Sequence, residues 1–319
     1  MDHSLLVLDE ASHGSSELAL LKETFAAFLK NLSEKTAIAY KSEVIDFLSF
    51  ISKRFQLASI RELRRNHIIF YRDHLEKREL SNKTILKKLS ALSSFCKFLA
   101  SESLVDKDIV YGIKRPRTEN KKETADLSDK DVRKIFDSFK LDSVYGVHHR
   151  ALLAVGFYTG LRSSEIRNLK IKNYAKLDGH MILRCLIKGA KVHEVPLNPF
   201  VVRCLDDHLA RLTEKGFVLC EEHYLFPSIK TRQNKPIGAK ALWGIFRNRL
   251  REAGIDLSTI RRYSPHSMRA TLAGHLLNTL EAPLEQVQQT LGHSSPTTTM
   301  KYNKRHKSHD KSPVYRIEY

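Results

Sequence analysis

The segment TGLRSSEIRNLK, residues 159–170, predicts a tight corner between two helices. Gly160 can end the apolar helix before it, and the serine pair after Arg162 can help to start the next one. Arg162 is then expected near a helix N-terminus, where a guanidinium and backbone N–H groups can both bind phosphate oxygens. Glu165 lies three residues later on the same side of the helix and can hold Arg162 in place. A purely structural Arg–Glu pair remains the alternative.

The segment MILRCLIKGAKVHEVPL, residues 181–197, predicts a β-hairpin, because two apolar runs rich in β-branched residues flank a Gly-Ala turn. Lys188 enters this turn and Lys191 leaves it, so an ammonium group can extend from a rigid tip into a bound strand. A lysine that is merely solvated is the alternative. Helical periodicity predicts helices around the hairpin at 199–212, 239–252, 267–280 and 284–291.

Two further segments carry candidate residues. In PHSMRATLAGHLL, residues 265–277, His266 and Arg269 are spaced i, i+3, so they share one face of a helix that begins near Pro265. Histidine offers a proton acceptor near neutral pH, and arginine offers a second phosphate ligand. In LGHSSPTTTMKY, His293 follows a glycine that can end a helix, and Tyr302 lies in a polar segment with no evident apolar partner. A capping histidine, a surface arginine and a half-exposed ring are the alternatives.

The remaining histidines and the cysteines are expected to play no chemical part. We expect His275 to pack in an apolar stretch, and the following histidines to lie on the surface: His148, His149, His306 and His309. No CxxC pair occurs, so the cysteines are expected to be buried thiols of a reducing compartment. These are Cys96, Cys185, Cys204 and Cys220.

The first half of the chain has helical periodicity at 17–30, 35–51, 62–78 and 82–100, which predicts a small bundle. Its lysines are available for phosphate contacts or form a solvated face, and the candidates are Lys83, Lys87 and Lys88. KRPRTENKKE, residues 114–123, is basic and almost free of apolar residues, which is typical of a linker. After it, Ser128 is the expected N-cap of the first helix of a second domain.

Length and charge favour a two-domain protein with a polyanionic partner. The chain has 319 residues and a formal net charge of +18, with 22 basic and 17 acidic residues up to Ala125 against 32 and 19 after it. The sequence has no run of eighteen or more apolar residues, so no membrane helix is expected. No Lys or Arg precedes Lys22, unlike a signal peptide with its basic N-terminal region. These features predict a cytoplasmic protein.

The order of these segments resembles the tyrosine recombinase (phage integrase) family, especially its Xer-like and small-integrase branch. The six matching candidate positions are Arg162, Lys188, His266, Arg269, His293 and Tyr302. The resemblance implies a mainly α fold with a small β-hairpin or sheet, arranged as a two-domain clamp. The expected parts are a tail (1–16), a helical core-binding domain (17–112), a basic linker (113–126), a catalytic domain (127–303) and a second tail (304–319), which in this family often contacts a neighbouring protomer.

The resemblance also implies a reaction. Tyr302 would attack a phosphodiester to give a 3′-phosphotyrosyl bond, while the two arginines clamp the phosphate and Lys188 protonates the leaving oxygen. His266 would assist Tyr302, His293 would donate to the phosphate, and no cofactor, metal or ATP would be needed. The expected use is integration or excision of a mobile element, or Xer-type resolution.

The resemblance implies that the protein binds double-stranded DNA carrying a specific recombination site. It also implies that the chain assembles with further copies of itself into a tetramer. A partner recombinase or an accessory factor can join this tetramer. The candidate DNA contacts are Lys83, Lys87, Lys88, Lys114, Arg115, Arg117, Lys191, Arg261 and Arg262. An inactive DNA-binding module of the same fold and an enzyme of the topoisomerase IB or telomere-resolvase type remain the alternatives.

Overall fold

A computed structural model describes residues 15–57, 59–106, 109–117, 125–187, 191–231, 233–256, 258 and 263–303. The chain divides into two compact units, Met1–Lys121 and Lys122–Tyr319. Within the described residues no helix is both long and apolar enough to cross a membrane. The predicted mainly α fold with a small sheet is confirmed.

The first unit is a helical bundle formed by α1 (Ser15–Lys30), α2 (Glu34–Phe55), α3 (Arg65–Lys77) and α4 (Asn82–Ser101). Its core includes edge-to-face ring pairs that Phe95 of α4 makes with Phe25 and Phe28 of α1. The helix predicted at 62–78 begins later, at Arg65, because the Ser59 hydroxyl caps a separate 3₁₀ turn at Ile60–Glu62.

Residues at the start of the predicted linker lie against this first unit. The amide of Asn82 donates a 2.8 Å hydrogen bond to the carbonyl of Arg117, and Arg72 donates a 3.4 Å bond to the carbonyl of Lys114. Ile113 packs against the apolar core of the bundle. The chain from 113 to 117 is therefore held to the bundle through its backbone.

The second unit surrounds a small sheet with helices. The helices are α5 (Asp129–Asp137), α6 (Val144–Thr159), α7 (Ser163–Asn168), α8 (Pro199–Glu214), α9 (Ala239–Glu252), α10 (Pro265–Gly274), α11 (Leu284–Leu291) and α12 (Pro296–Met300). The predicted N-cap of α5 is confirmed, since the Ser128 hydroxyl accepts a 3.1 Å bond from the backbone of Asp131.

The antiparallel sheet has the order β1 (Tyr174–Leu177), β2 (His180–Ile187), β3 (Lys191–Pro196). Strands β2 and β3 form the predicted hairpin, with Cys185 opposite His193. The strand β1 was not predicted; it pairs with β2 through a tight turn in which Asp178 and Gly179 both have positive φ. A second pair, β4 (Pro227–Ser228) and β5 (Gln233–Pro236), was also missed.

The helix predicted at 267–280, with a start near Pro265, differs mainly at its C-terminal end. It begins at Pro265, where proline occupies the first turn and needs no hydrogen-bond partner for its nitrogen. After Gly274 the chain changes to a π-helix, His275–Thr279, which is a wider turn often found at functional sites.

Three expectations about single side chains are wrong. His148 is buried, because α8 covers its face of α6, and its ring lies 4.9 Å from the ring of His208. Cys220 is exposed, since it lies in an irregular segment after α8. His275 is partly exposed and does not pack in a core: its Nδ1 lies 2.9 Å from a carboxylate oxygen of Asp129.

Candidate active site

The corner after α6 positions the first arginine as predicted. Gly160 ends α6 in the left-handed conformation, with φ 63°, and a Cβ there would lie 2.6 Å from Leu291. Arg162 then precedes α7, and Glu165 accepts two bonds from it, 2.7 Å from its backbone N–H and 2.8 Å from its Nη1. Glu165 is nearly buried whereas the Arg162 side chain is 39% exposed, so the carboxylate fixes a guanidinium that can still reach a ligand.

The second arginine, Arg269, is buried and joins two helix ends. Its Nη1 donates to the carbonyl of Gly160 and its Nη2 to the carbonyl of Leu291, both at 2.7 Å. These carbonyls end α6 and α11, where the helix dipole favours a positive charge. Burial and the nearby charge of Arg162 lower the pKa of Arg269 to about 10, so it remains a cation at neutral pH.

The candidate nucleophile lies within hydrogen-bond reach of a base. The Tyr302 hydroxyl is 3.3 Å from Nε2 of His266, which stands in the first turn of α10. Burial raises the pKa of the Tyr302 phenol above its usual 10, although the charges of Arg269 and Arg162 oppose this shift. Partial desolvation and the same two charges lower the pKa of His266, which is therefore neutral near pH 7 and able to accept a proton.

The expectation that Tyr302 has no apolar partner is wrong. Its ring is half-buried against an apolar cluster whose buried members include Ala273 and Leu277. These residues lie on α10 and the π-helix, so the polar residues next to Tyr302 in sequence gave no sign of them. The phenol oxygen is thus directed toward His266 by a ring that has its own packing site.

His293 is buried beside Tyr302. Gly292 ends α11 with φ 62°, as predicted, and the chain turns so that the His293 ring lies parallel to the Tyr302 ring at 6.4 Å. Its Nδ1 is 2.8 Å from the hydroxyl of Thr299. Burial, followed by the charges of Arg269 and Arg162, lowers the pKa of His293 to about 4. A neutral ring whose Nδ1 is engaged in this way can present Nε2 to a ligand.

Sequence reasoning missed His193 as a contact of the site. Its Nε2 is 3.1 Å from the carbonyl of Thr290, and a Cβ at Gly292 would lie 3.3 Å from its ring. Strand β3 is thereby fixed to the turn that carries His293. The signal available in sequence was only a polar residue on the inward face of a strand.

Several predicted residues are not part of this described arrangement. Lys188, Arg261 and Arg262 lie outside the described residues, while Lys191 begins β3 and is exposed. In the first unit Lys83 is exposed, whereas Lys87 and Lys88 are ion-paired with Glu43 of α2 at 2.6 and 2.7 Å.

Lys88 also contacts Asp46 at 2.9 Å, and its side chain is only 12% exposed. Lys87 and Lys88 would therefore have to bind DNA while acidic side chains of α2 partly neutralise their charge. Arg115 lies within 3.4 Å of the Ser90 hydroxyl.

Comparison with known proteins agrees with this geometry. The family model described as "Phage integrase family" matches residues 125–309, which contain all six candidate positions. A second, described as "Phage integrase, N-terminal SAM-like domain", matches residues 23–103.

The similarity to individual recombinases extends over most of the chain. Tyrosine recombinase XerC of Bacillus licheniformis is 30% identical over 282 residues, covering 86% of each protein. Tyrosine recombinase XerD of Halalkalibacterium halodurans is 24% identical over 273 residues, covering 86% of this chain and 88% of that protein.

Among solved structures, the fold resembles that of the XerH site-specific recombinase in its post-cleavage complex with palindromic difH substrate. The TM-score is 0.68 at 20% identity, covering 88% of this chain and 80% of that one. A lambda integrase dimer bound to a COC′ core site gives 0.63 at 15% identity, covering 95% and 97%. On the strength of the matched domains, the chain belongs to the phage integrase family of tyrosine recombinases.

Proposed function

We propose that this protein is a site-specific DNA recombinase that cuts and rejoins DNA through a 3′-phosphotyrosyl intermediate. The observation that carries the proposal is the Tyr302 hydroxyl 3.3 Å from Nε2 of His266, beside the buried guanidinium of Arg269. Family membership supports the same reaction. A nucleophile, a base and a phosphate-binding cation are the groups that phosphodiester cleavage by a side chain needs.

In the first step the Tyr302 oxygen forms a bond to phosphorus and gives its proton to His266. Base assistance is required because burial keeps the pKa of Tyr302 above its usual 10, so that few phenolates form unaided at neutral pH. As the new bond forms, the bond to the DNA 5′-oxygen breaks, and that oxygen takes a proton from Lys188. The products are a phosphotyrosyl diester and a free 5′-hydroxyl.

The arginines carry the charge of the transition state. Arg162, fixed by Glu165, and Arg269, fixed by two backbone carbonyls, would each donate their remaining N–H groups to the non-bridging oxygens. His293 would add a neutral donor on the side of the nucleophile. Because these donors are fixed before the DNA binds, they need little reorganisation during reaction.

The reaction conserves the phosphodiester bond energy, so a 5′-hydroxyl of a second DNA strand can attack the phosphotyrosyl bond and reverse the step on a new partner. Every group in this scheme belongs to the chain or to the DNA. Neither a metal ion nor ATP therefore enters the proposed reaction.

The proposed partners are two DNA duplexes with a specific site and further copies of this chain, in a tetramer that an accessory protein can join. The comparison structures include recombinases bound to their recombination sites, which supports DNA as the partner. The exposed Lys83 and Lys191 and the basic segment 113–117 are the described candidates for backbone contacts. Residues 304–319 lie outside the described range; we propose that they contact a neighbouring copy, so that deleting 312–319 weakens synapsis.

A nicked duplex that loses its short 5′-hydroxyl strand after cleavage tests the proposal, since it traps the covalent adduct. The wild-type protein should give a protein–DNA adduct in the presence of EDTA, and Tyr302→Phe should give none. Tyr315→Phe is the matched control, the same loss of a phenol oxygen, and should still form the adduct. An adduct that persists in Tyr302→Phe and disappears in Tyr315→Phe would assign the nucleophile to Tyr315.

A further inference from the structure

The backbone of the nucleophile is held by a side chain from a different segment. Nδ2 of Asn278 donates a 3.0 Å hydrogen bond to the carbonyl oxygen of Tyr302, across 24 residues of sequence. Asn278 lies in the π-helix that continues α10, the helix that carries His266 and Arg269. The nucleophile and the groups that act on it are thus tied to one continuous helical element.

We propose that Asn278 is a positioning residue that holds Tyr302 in place for attack. This inference rests on the proposed function, because it assigns Asn278 a part in the same reaction. The 3.0 Å bond from Asn278 goes to the main chain of Tyr302, so through this bond Asn278 acts on the reaction by way of the nucleophile.

The short helix α12 explains why such a bond matters. Five residues, Pro296–Met300, are too few for a helix that is stable by itself, so the placement of Tyr302 depends on contacts with other elements. The ring packs against the apolar cluster that includes Ala273 and Leu277, and the hydroxyl lies 3.3 Å from Nε2 of His266. These contacts fix the side chain, whereas the Asn278 bond fixes the backbone from which the side chain extends.

The π-helix holds Asn278 itself in place. Leu277, the residue next to Asn278, belongs to the buried apolar cluster. A Cβ at Gly274 would lie in ordinary contact with Nδ2 of Asn278, at 3.8 Å, and closer, at 3.1 Å, to a carboxylate oxygen of Asp126, so the amide of Asn278 lies close to the backbone of the preceding turn. A donor fixed in this way keeps its partner close to one geometry, and cleavage is sensitive to misplacement of the reacting oxygen by about 1 Å.

The test compares Asn278→Asp, which has the same shape but no N–H donor, with Asn278→Ala and with His275→Ala. His275→Ala is the matched control, because it removes from the same π-helix a polar contact whose partner is Asp129 and not Tyr302. We expect both Asn278 variants to form the suicide-substrate adduct at least tenfold more slowly at saturating DNA, with unchanged DNA affinity. His275→Ala should stay within twofold of the wild type.

A second readout separates positioning from a general structural role. In the Tyr302→Phe background, hydrogen peroxide supplies a diffusible nucleophile whose oxygen bonds to phosphorus while the 5′-oxygen leaves with a proton. Adding Asn278→Asp should leave this peroxide-dependent cleavage unchanged, because no nucleophile remains to be positioned. An equal loss there, or an equal loss in His275→Ala, would overturn the proposal.

Failure of the proposed function gives a different result. If the wild type forms no adduct at Tyr302, the recombinase reaction itself is wrong for this chain, and the positioning role falls with it. If the wild type forms the adduct and the Asn278 variants match its rate, the reaction stands and only the positioning role of Asn278 is overturned.

Discussion

A buried histidine pair should make the stability of the second unit depend on pH. His148 of α6 and His208 of α8 are both buried with their rings 4.9 Å apart, and neither Nδ1 has a hydrogen-bond partner among the described residues. Burial lowers the pKa of His208 to about 4, and burial with the neighbouring His208 and His149 lowers the pKa of His148 well below 6.5. Both rings are therefore neutral in the folded protein, and protonation opposes folding.

The size of the effect follows from these values. Since the folded pKa lies below the unfolded value of 6.5, the unfolded state takes up protons first as the pH falls. The stabilisation is complete above pH 6.5 and is lost progressively between pH 6.5 and 4. With a folded pKa of about 4 for His208, this residue alone should cost about 2 kcal/mol of the free energy of unfolding at pH 5 relative to pH 7.5.

Trp243, the only tryptophan of the chain, lies on α9 of the same unit, so urea unfolding followed by its fluorescence reports the relevant transition. In His208, Nε2 lies 2.9 Å from the carbonyl of Leu225. The variant His208→Gln places an amide nitrogen near this position, and the glutamine side chain does not titrate. Between pH 7.5 and 5 the wild type should lose about 2 kcal/mol more than this variant.

His180→Gln is the matched control, because it makes the same change at an exposed histidine at the start of β2, and it should lose as much stability as the wild type. Equal losses in the wild type and in His208→Gln would refute the reasoning, since they would mean that burial of His208 does not oppose its charge.

Three other predictions concern the site. Glu165→Ala removes both bonds to Arg162 and should slow single-turnover cleavage about 100-fold. Glu165→Gln keeps one acceptor oxygen, so its rate should lie between those of Glu165→Ala and the wild type. Equal cleavage rates in Glu165→Ala and the wild type would show that the Arg162–Glu165 pair is only structural. Gly160→Ala should lower the melting temperature more than Gly216→Ala in a thermal scan. Both glycines have a positive φ, but the added Cβ would lie 2.6 Å from a side chain at residue 160 and would have no atom within 4 Å at residue 216. At subsaturating DNA, where the cleavage rate reports the pKa values of the free protein, the rate should stay level down to below pH 6.5, because a lowered pKa keeps His266 neutral, and it should fall at lower pH. His266→Ala should remove this fall; a fall that survives the substitution would place the proton acceptor elsewhere.

The parts of the site that sequence could predict are those set by local signals. Gly160 needs a left-handed conformation at a helix end, and Glu165 reaches Arg162 because three residues of helix separate them. Both relations depend on neighbours within a few positions, so the pattern of residue types contains them. The order of the six candidate residues then identified the family.

The relations that sequence missed join distant segments. The apolar cluster against which Tyr302 packs is formed by residues of α10, the π-helix and α11, and only the folded chain brings Tyr302 against them. Lys88 is available for DNA on a helical wheel, yet Glu43 of a different helix lies 2.7 Å from its ammonium group. The burial of His148 was missed for the same reason, since the pattern of apolar residues in α6 does not reveal which face of α6 will be covered by α8.

The shifts in the pKa values of His266 and Tyr302 indicate why two arginines suit the proposed reaction. In the protein alone, the charges of Arg269 and Arg162 lower the pKa of His266. A phosphodiester bound between the two arginines brings a negative charge that opposes theirs, so the pKa of His266 should rise toward neutrality, where a general base works best. The same negative charge makes ionisation of Tyr302 harder, so proton removal by His266 becomes more necessary as the substrate binds. Clamping the phosphate and strengthening the base are therefore consequences of one arrangement of charges.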